Sequence, residues 1–223
     1  MLKMKRYWKT KAVCALSLLP VVQAVGAIYS FTYHIPSETE YEPTNWDAKF
    51  SVQQFNPAWG TLSSISLQFS GDVIVQYYLQ NNSGGQSQFG YSHACTLLLS
   101  VPNSAPITLT TSDGGSITLE ANEIQTWQSG PFYDSKTTVI PEGSFSTFTG
   151  PGVVDIPVSA AADYAIIGGS YYAAVSTGAR ASLTVIYTYT PVPEPSVVGL
   201  VSGLGLLGFA GWWRTRQSAK TER

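Results

Sequence analysis

The chain has 223 residues, 12% of them charged and 44% hydrophobic. The charged share is about half of the usual value, roughly 25%, so charge-driven disorder is excluded. The net charge of -2 hides a segregation, because five of the twelve bases lie in the first eleven residues and four in the last ten. Between Ile28 and Val192 only Lys49, Lys136 and Arg180 oppose twelve acids, a net of −9. Nothing there neutralises phosphates, so a nucleic-acid partner is excluded.

Lys3, Lys5, Arg6, Lys9 and Lys11 precede an apolar run from Ala12 to Val22, and Gln23-Ala24-Val25-Gly26-Ala27 follows. Charged, apolar and small-residue regions in that order mark a secretory signal peptide. At about eleven residues the apolar run is short for a bilayer. The pattern predicts a signal peptide over 1–27 that passes the secretion translocon. Signal peptidase is expected to cut after Ala27, with Val25 at position −3; a cut after Ala24 is the alternative. Cys14 falls in the discarded part. Cys95 then remains alone, so the exported domain has no intramolecular disulfide and depends on its core.

From residue 28 the apolar period is two. Tyr29, Phe31, Tyr33 and Ile35 alternate with polar residues, as do Ile65, Leu67 and Phe69, then Val73, Val75, Tyr77 and Leu79. Cys95, Leu97, Leu99 and Val101 give a further strand, and Leu183, Val185, Tyr187 and Tyr189 the last. Such alternation marks strands with one buried face. Gly71-Asp72 reads as a hairpin turn, and Asp113-Gly114 as a turn across which Ile107 and Leu109 face Ile117 and Leu119. Asn81-Asn82-Ser83-Gly84-Gly85 reads as a longer loop, and its first three residues also fit a glycosylation acceptor pattern. The weak helical candidate is Ala160 to Ile167. The expected fold is all-β, an antiparallel β-sandwich over 28–190, jelly-roll or immunoglobulin-like in outline.

Phe55-Asn56-Pro57-Ala58-Trp59-Gly60-Thr61-Leu62, running into Ser63-Ser64-Ile65-Ser66-Leu67, resembles the opening signature of the choice-of-anchor E domain. That family usually carries leucine where Trp59 stands. Phe148-Thr149-Gly150-Pro151-Gly152-Val153-Val154-Asp155-Ile156-Pro157-Val158 resembles its later Gly-x-Gly strand. The resemblance implies a secreted domain and carries over no catalytic residue.

Candidate sites in the domain are sparse. His93 and Cys95 share a strand face, but a cysteine leading an apolar face reads as a small hydrophobe. Zinc needs more ligands than His34, His93 and Cys95 offer. Glu38, Glu40, Glu42, Asp47, Glu120, Glu123, Asp134 and Glu142 are carboxylates, and a glycosidase needs two of them facing one sugar. Surface solvation is the simpler account. No calcium loop of the Asp-x-Asp-x-Asp-Gly type is present. No catalytic residue, metal site or cofactor is therefore expected. Trp46, Trp59 and Trp127 are the candidates for stacking on glycan rings.

The C-terminus is more specific. Val192-Pro193-Glu194-Pro195-Ser196 lies in a Pro-rich segment over 191–196. An uncharged stretch over 197–213 follows, ending in Trp212-Trp213, then a basic tail over 214–223 that opens Arg214-Thr215-Arg216. Seventeen helical residues rise about 26 Å, just under a bilayer's apolar thickness of about 30 Å. Trp212 and Trp213 suit the interface, and Arg214 and Arg216 act as the cytoplasmic stop. Two prolines flanking Glu194 favour an extended backbone that a processing enzyme can thread.

Motif, short glycine-rich helix and Arg-x-Arg, in that order, resemble the PEP-CTERM sorting signal. The resemblance implies exosortase of a Gram-negative bacterium as the partner, and transient anchoring in the inner membrane. It also implies removal of the tail and delivery to the cell surface or the exopolysaccharide matrix. The expected function is that of a non-enzymatic surface or extracellular-matrix protein. The alternatives are a carbohydrate-binding module of that matrix and a secreted carboxylate-dependent glycoside hydrolase.

Overall fold

The alternating residues of the chain pair into two antiparallel sheets whose inner faces close on each other. A computed structural model describes residues 26–192, with Leu204 and Leu207, both helical. Nine strands lie among the described residues: β1 (Ala27–Ile35), β2 (Glu42–Pro43), β3 (Trp46–Gln53), β4 (Gly60–Asn81), β5 (Ser87–Leu99), β6 (Ile107–Leu119), β7 (Ile124–Val139), β8 (Val153–Ile167) and β9 (Tyr171–Pro191). Short 3-10 turns cover Pro57–Trp59 and Glu142–Phe148. Among the described residues no helix is long and apolar enough to cross a membrane. Val25, the motif residues from Pro193 to Ser196, Trp212, Trp213, Arg214 and Arg216 lie outside the described residues. So does the expected span over 197–213, apart from Leu204 and Leu207.

One sheet has the order β1-β9-β4-β7, with β2 also on β9; the other has the order β3-β8-β5-β6. Apart from the β5–β6 hairpin and the short β2, each successive strand crosses to the opposite sheet. Neighbours in a sheet are therefore distant in sequence, and β4 lies against β9 along its whole length.

The core follows from the pleat. Ile65, Leu67, Phe69, Val73, Val75, Tyr77 and Leu79 point inward from β4, and Ala179, Ala181, Leu183, Val185 and Tyr187 from β9. The opposite sheet contributes Phe50, Val52, Phe89, Cys95, Leu97, Leu99, Leu109, Ile156 and Val158. Each fully buried large side chain contributes about 1.5–3 kcal/mol.

Two expected turns are strand interior. Gly71-Asp72 lies within the 22 residues of β4, paired with Ala181 and Arg180 on one side and Asp134 and Tyr133 on the other. A Cβ on Gly71 would sit 2.0 Å from Leu97 Cδ1 of the facing sheet. The glycine is there for close approach of the sheets, not for a reversal. Asp113-Gly114 likewise lies within β6, paired with His93 and Ser92, and the Tyr91 ring covers Gly115. Ile107, Leu109, Ile117 and Leu119 thus belong to one strand instead of facing each other across a turn. Ala160 to Ile167, the helical candidate, is the second half of β8.

Side chains close the long sides of the sandwich. Lys136 Nζ donates to Thr108 O at 2.5 Å, and Asp134 Oδ2 accepts Thr110 N–H at 3.3 Å, joining edges β7 and β6. On the other side Tyr33 Oη accepts Gln53 N–H at 2.9 Å, while Tyr187 Oη donates to Gln53 O at 2.8 Å. Burial pushes the Tyr187 phenol well above its usual range, so it keeps the proton it donates.

Candidate functional site

β1 pairs with β9 as far as Ile35 opposite Ala181, and β2 resumes on β9 at Glu42 opposite Ala179. Arg180 falls in the gap. Residues 36–41 leave the sheet there and form one wall of a cavity on its outer face. The volume is about 200 Å³, and the lining includes His34, Ser37, Ser70, Asp72, Arg180 and Ser182, with Glu38 on the wall. His34, Ser182 and Ser70 stand in one cross-strand row; Arg180 and Asp72 occupy the next position along the outer face.

Arg180 organises this place. Its Nε donates to Asp72 Oδ2 at 2.7 Å, its Nη1 donates to Glu38 O at 2.5 Å, and its guanidinium lies 4.8 Å from the centre of the Tyr41 ring. The bond to Asp72 holds the guanidinium proton more firmly than usual. Both partners are mostly shielded, with side chains 29% and 19% exposed, so the pair is stronger than a solvated surface pair. Ser37 Oγ accepts Glu40 N–H at 3.1 Å and so shapes the loop.

The expected stacking residues do not form one surface. Trp59 is 37% exposed, yet its ring meets Tyr29 and Phe55 edge to face at 4.7 and 5.8 Å. Trp127 packs flat on Tyr77 at 4.7 Å, and Trp46 is half-buried against the core with its Nε1 enclosed and unpartnered. Trp59 precedes the first residue of β4, whereas Trp127 is opposite Tyr77 near its far end. At about 3.3 Å per residue these positions are roughly 55–60 Å apart along the strand.

Several carboxylates hold structure. Glu123 Oε2 accepts Glu120 N–H in the β6–β7 turn, Glu120 Oε1 accepts an amide proton of Gln86, and Asp134 serves the edge contact above. Lys49 and Ser51 hold Asp155, and the bond from Lys49 is the main cause of its lowered pKa. Among the described residues no group of three or more His, Cys, Asp or Glu is placed to hold a metal ion.

His93 and Cys95 both point into the core. Burial pushes the Cys95 thiol up to about 11, the wrong direction for a nucleophile. His93 lies against Phe132, ring centres 5.2 Å apart, with neither nitrogen partnered. The glycosylation pattern is closed too. Asn81 is fully buried, and its Nδ2 donates to Gly85 O, Leu119 O and Glu120 O. The loop expected from Asn81 to Gly85 lies over 82–86, with Asn81 the last residue of β4.

Sequence reasoning missed the cavity because Asp72 was assigned to a turn. One signal was present: Arg180 is one of three bases in the domain and stands in an alternating strand.

The fold and the cavity define an all-β sandwich domain with a small polar recess on one face. No family model and no curated protein matches the chain. Solved structures titled infectious bursal disease virus Gx strain and Mud crab tombus-like virus each contain a chain similar to it at 11% identity. These likenesses cover 76% and 90% of this chain and 37% and 99% of the other, with TM-scores of 0.20 and 0.18. The chain thus spans 37% of the bursal disease virus chain it matches.

Proposed function

We propose that this chain is an exported, non-enzymatic surface or extracellular-matrix protein, processed by exosortase at Pro193-Glu194-Pro195. The carrying observation is where the sandwich stops. Among the described residues, the most C-terminal main-chain bond runs from Val192 N–H to Trp59 O at 3.1 Å, immediately ahead of Pro193. A cut beyond that point leaves intact every bond found among the described residues of the sandwich. The start of the domain supports the reading, because Ala27 pairs with Tyr189 and the two ends of the domain lie side by side. Signal peptide and span would then both attach at one pole, towards the membrane. A cut after Ala27 leaves β1 from Ile28 onward; the alternative cut after Ala24 leaves it whole.

The strand order is best read as the double Greek key of a jelly roll, with sheets 1-9-4-7 and 3-8-5-6. An immunoglobulin order would keep more consecutive strands within one sheet.

The test is the mass of the mature protein in its host. The wild type is expected to lack the signal peptide and the C-terminal segment. The double substitution Pro193→Ala and Pro195→Ala is expected to keep the C-terminal segment. An intact tail in the wild type would overturn the reading.

A further inference from the structure

We infer that the recess beneath the loop over 36–41 binds one neutral sugar unit of a glycan. This goes beyond the sorting reading, and either can fail without the other.

Size sets the first limit. About 200 Å³ is smaller than the roughly 300–1,000 Å³ that holds a drug-sized ligand, so the recess takes one small unit. Chemistry sets the second. Asp72 Oδ2 is engaged by Arg180, which leaves Oδ1 of this lining residue as an acceptor. A guanidinium has five donors, and Arg180 spends two of them on Asp72 and Glu38 O. Ser37, Ser70 and Ser182 add hydroxyls that both give and accept, and His34 adds a ring nitrogen. Donors and acceptors interleaved over a few ångströms match a ring bearing adjacent hydroxyls, each of which needs one of both.

The other ligand classes fit less well. An anion would meet an Arg180 already neutralised by Asp72, with Glu38 on the wall. A divalent cation would find the Asp72 carboxylate already bonded to a guanidinium. An apolar ligand would leave these polar groups buried and unpaired, at a cost.

The site is held ready. Arg180 is fixed at two nitrogens and across the Tyr41 ring, so little ordering is left for binding. The ground beside it suits a continuing chain of sugars. The adjacent outward row is Thr32, Thr184 and Gln68, uncharged, with the two threonine hydroxyls 2.9 Å apart.

The experiment is saturation-transfer NMR on the full chain in detergent. The probes are methyl glycosides of glucose, galactose, mannose and N-acetylglucosamine, with methyl glucuronide as the charged counterpart. At least one neutral glycoside is expected to bind in the millimolar range. Asp72→Asn and Ser70→Val are each expected to weaken it by about tenfold or more. Ser112→Val, on the opposite sheet, is expected to leave it unchanged. Asp72→Asn also loosens the loop; Ser70→Val leaves the ion pair intact and so decides between lost contact and lost fold. Failure of all four neutral probes to bind overturns the proposal. So does binding that Ser70→Val leaves untouched, or tighter binding of the glucuronide.

Discussion

Val192 N–H donates to Trp59 O at 3.1 Å, and this bond ties the last described residue of the domain to the turn that opens its longest strand. Tyr187 is the last fully buried residue before it, and its hydroxyl reaches across to Gln53 O. A chain ended after Val192 is expected to unfold in urea at the same midpoint as the full chain. A chain ended after Ile186 is expected not to fold, since it loses a buried aromatic worth about 3 kcal/mol or more. Circular dichroism during urea titration reads both.

Asn81 is a knot among three chain segments. Its two amide protons are shared among three carbonyls, and its Oδ1 accepts Ser83 N–H at 2.8 Å. Asn81→Ala leaves the buried Leu119 carbonyl and three part-buried groups without these bonds, and is expected to cost about 2–3 kcal/mol, at roughly 1–3 kcal/mol for each buried group left unsatisfied. Chemical denaturation measures it. A loss below about 1 kcal/mol would show that water replaces the amide.

His93 makes the domain sensitive to acid. Burial lowers its pKa below the ordinary 6.5, outweighing the opposing pull of Asp113. Well above 6.5 the ring is neutral both folded and unfolded. As pH falls below 6.5 the unfolded chain takes up a proton that the folded ring refuses, so stability falls. His93→Leu is expected to remove this step from a plot of stability against pH between 8 and 5. It also deletes two unpartnered nitrogens, a gain of about 1 kcal/mol at pH 8.

Gly71→Ala is expected to destabilise the sandwich by about 1–3 kcal/mol, because the added methyl overlaps Leu97. Leu97→Ala opens room for that methyl, so the double variant is expected to lose less than the sum of the single losses. Thermal unfolding of the four proteins gives the cycle.

Cys95 is expected to resist iodoacetamide at pH 8 in the folded protein, because burial both shields the thiol and holds its pKa near 11. Full labelling is expected in denaturant, and mass spectrometry distinguishes the two states. Rapid labelling of the folded protein would place the cysteine outside the core.

What the sequence determined alone was local and periodic. Alternation at Phe31–Ile35, Ile65–Phe69, Val73–Leu79, Cys95–Leu99 and Leu183–Tyr189 identified inward faces, because a strand side chain changes face at every residue, whereas Tyr29 at the start of β1 is exposed. β7 escaped notice because it is an edge strand exposed on much of both faces, and its sequence carries no clear alternation. Tertiary structure decided the rest. Glycine is compatible with a turn and with a tight contact inside a sheet structure, and only the presence of Leu97 across the sandwich at Gly71, and of the Tyr91 ring on the neighbouring strand at Gly115, selects the second. The recess depends on Arg180 and Asp72, which stand 108 positions apart in sequence. Their meeting follows from the register of β9 on β4, which the whole packed core sets and no short stretch encodes.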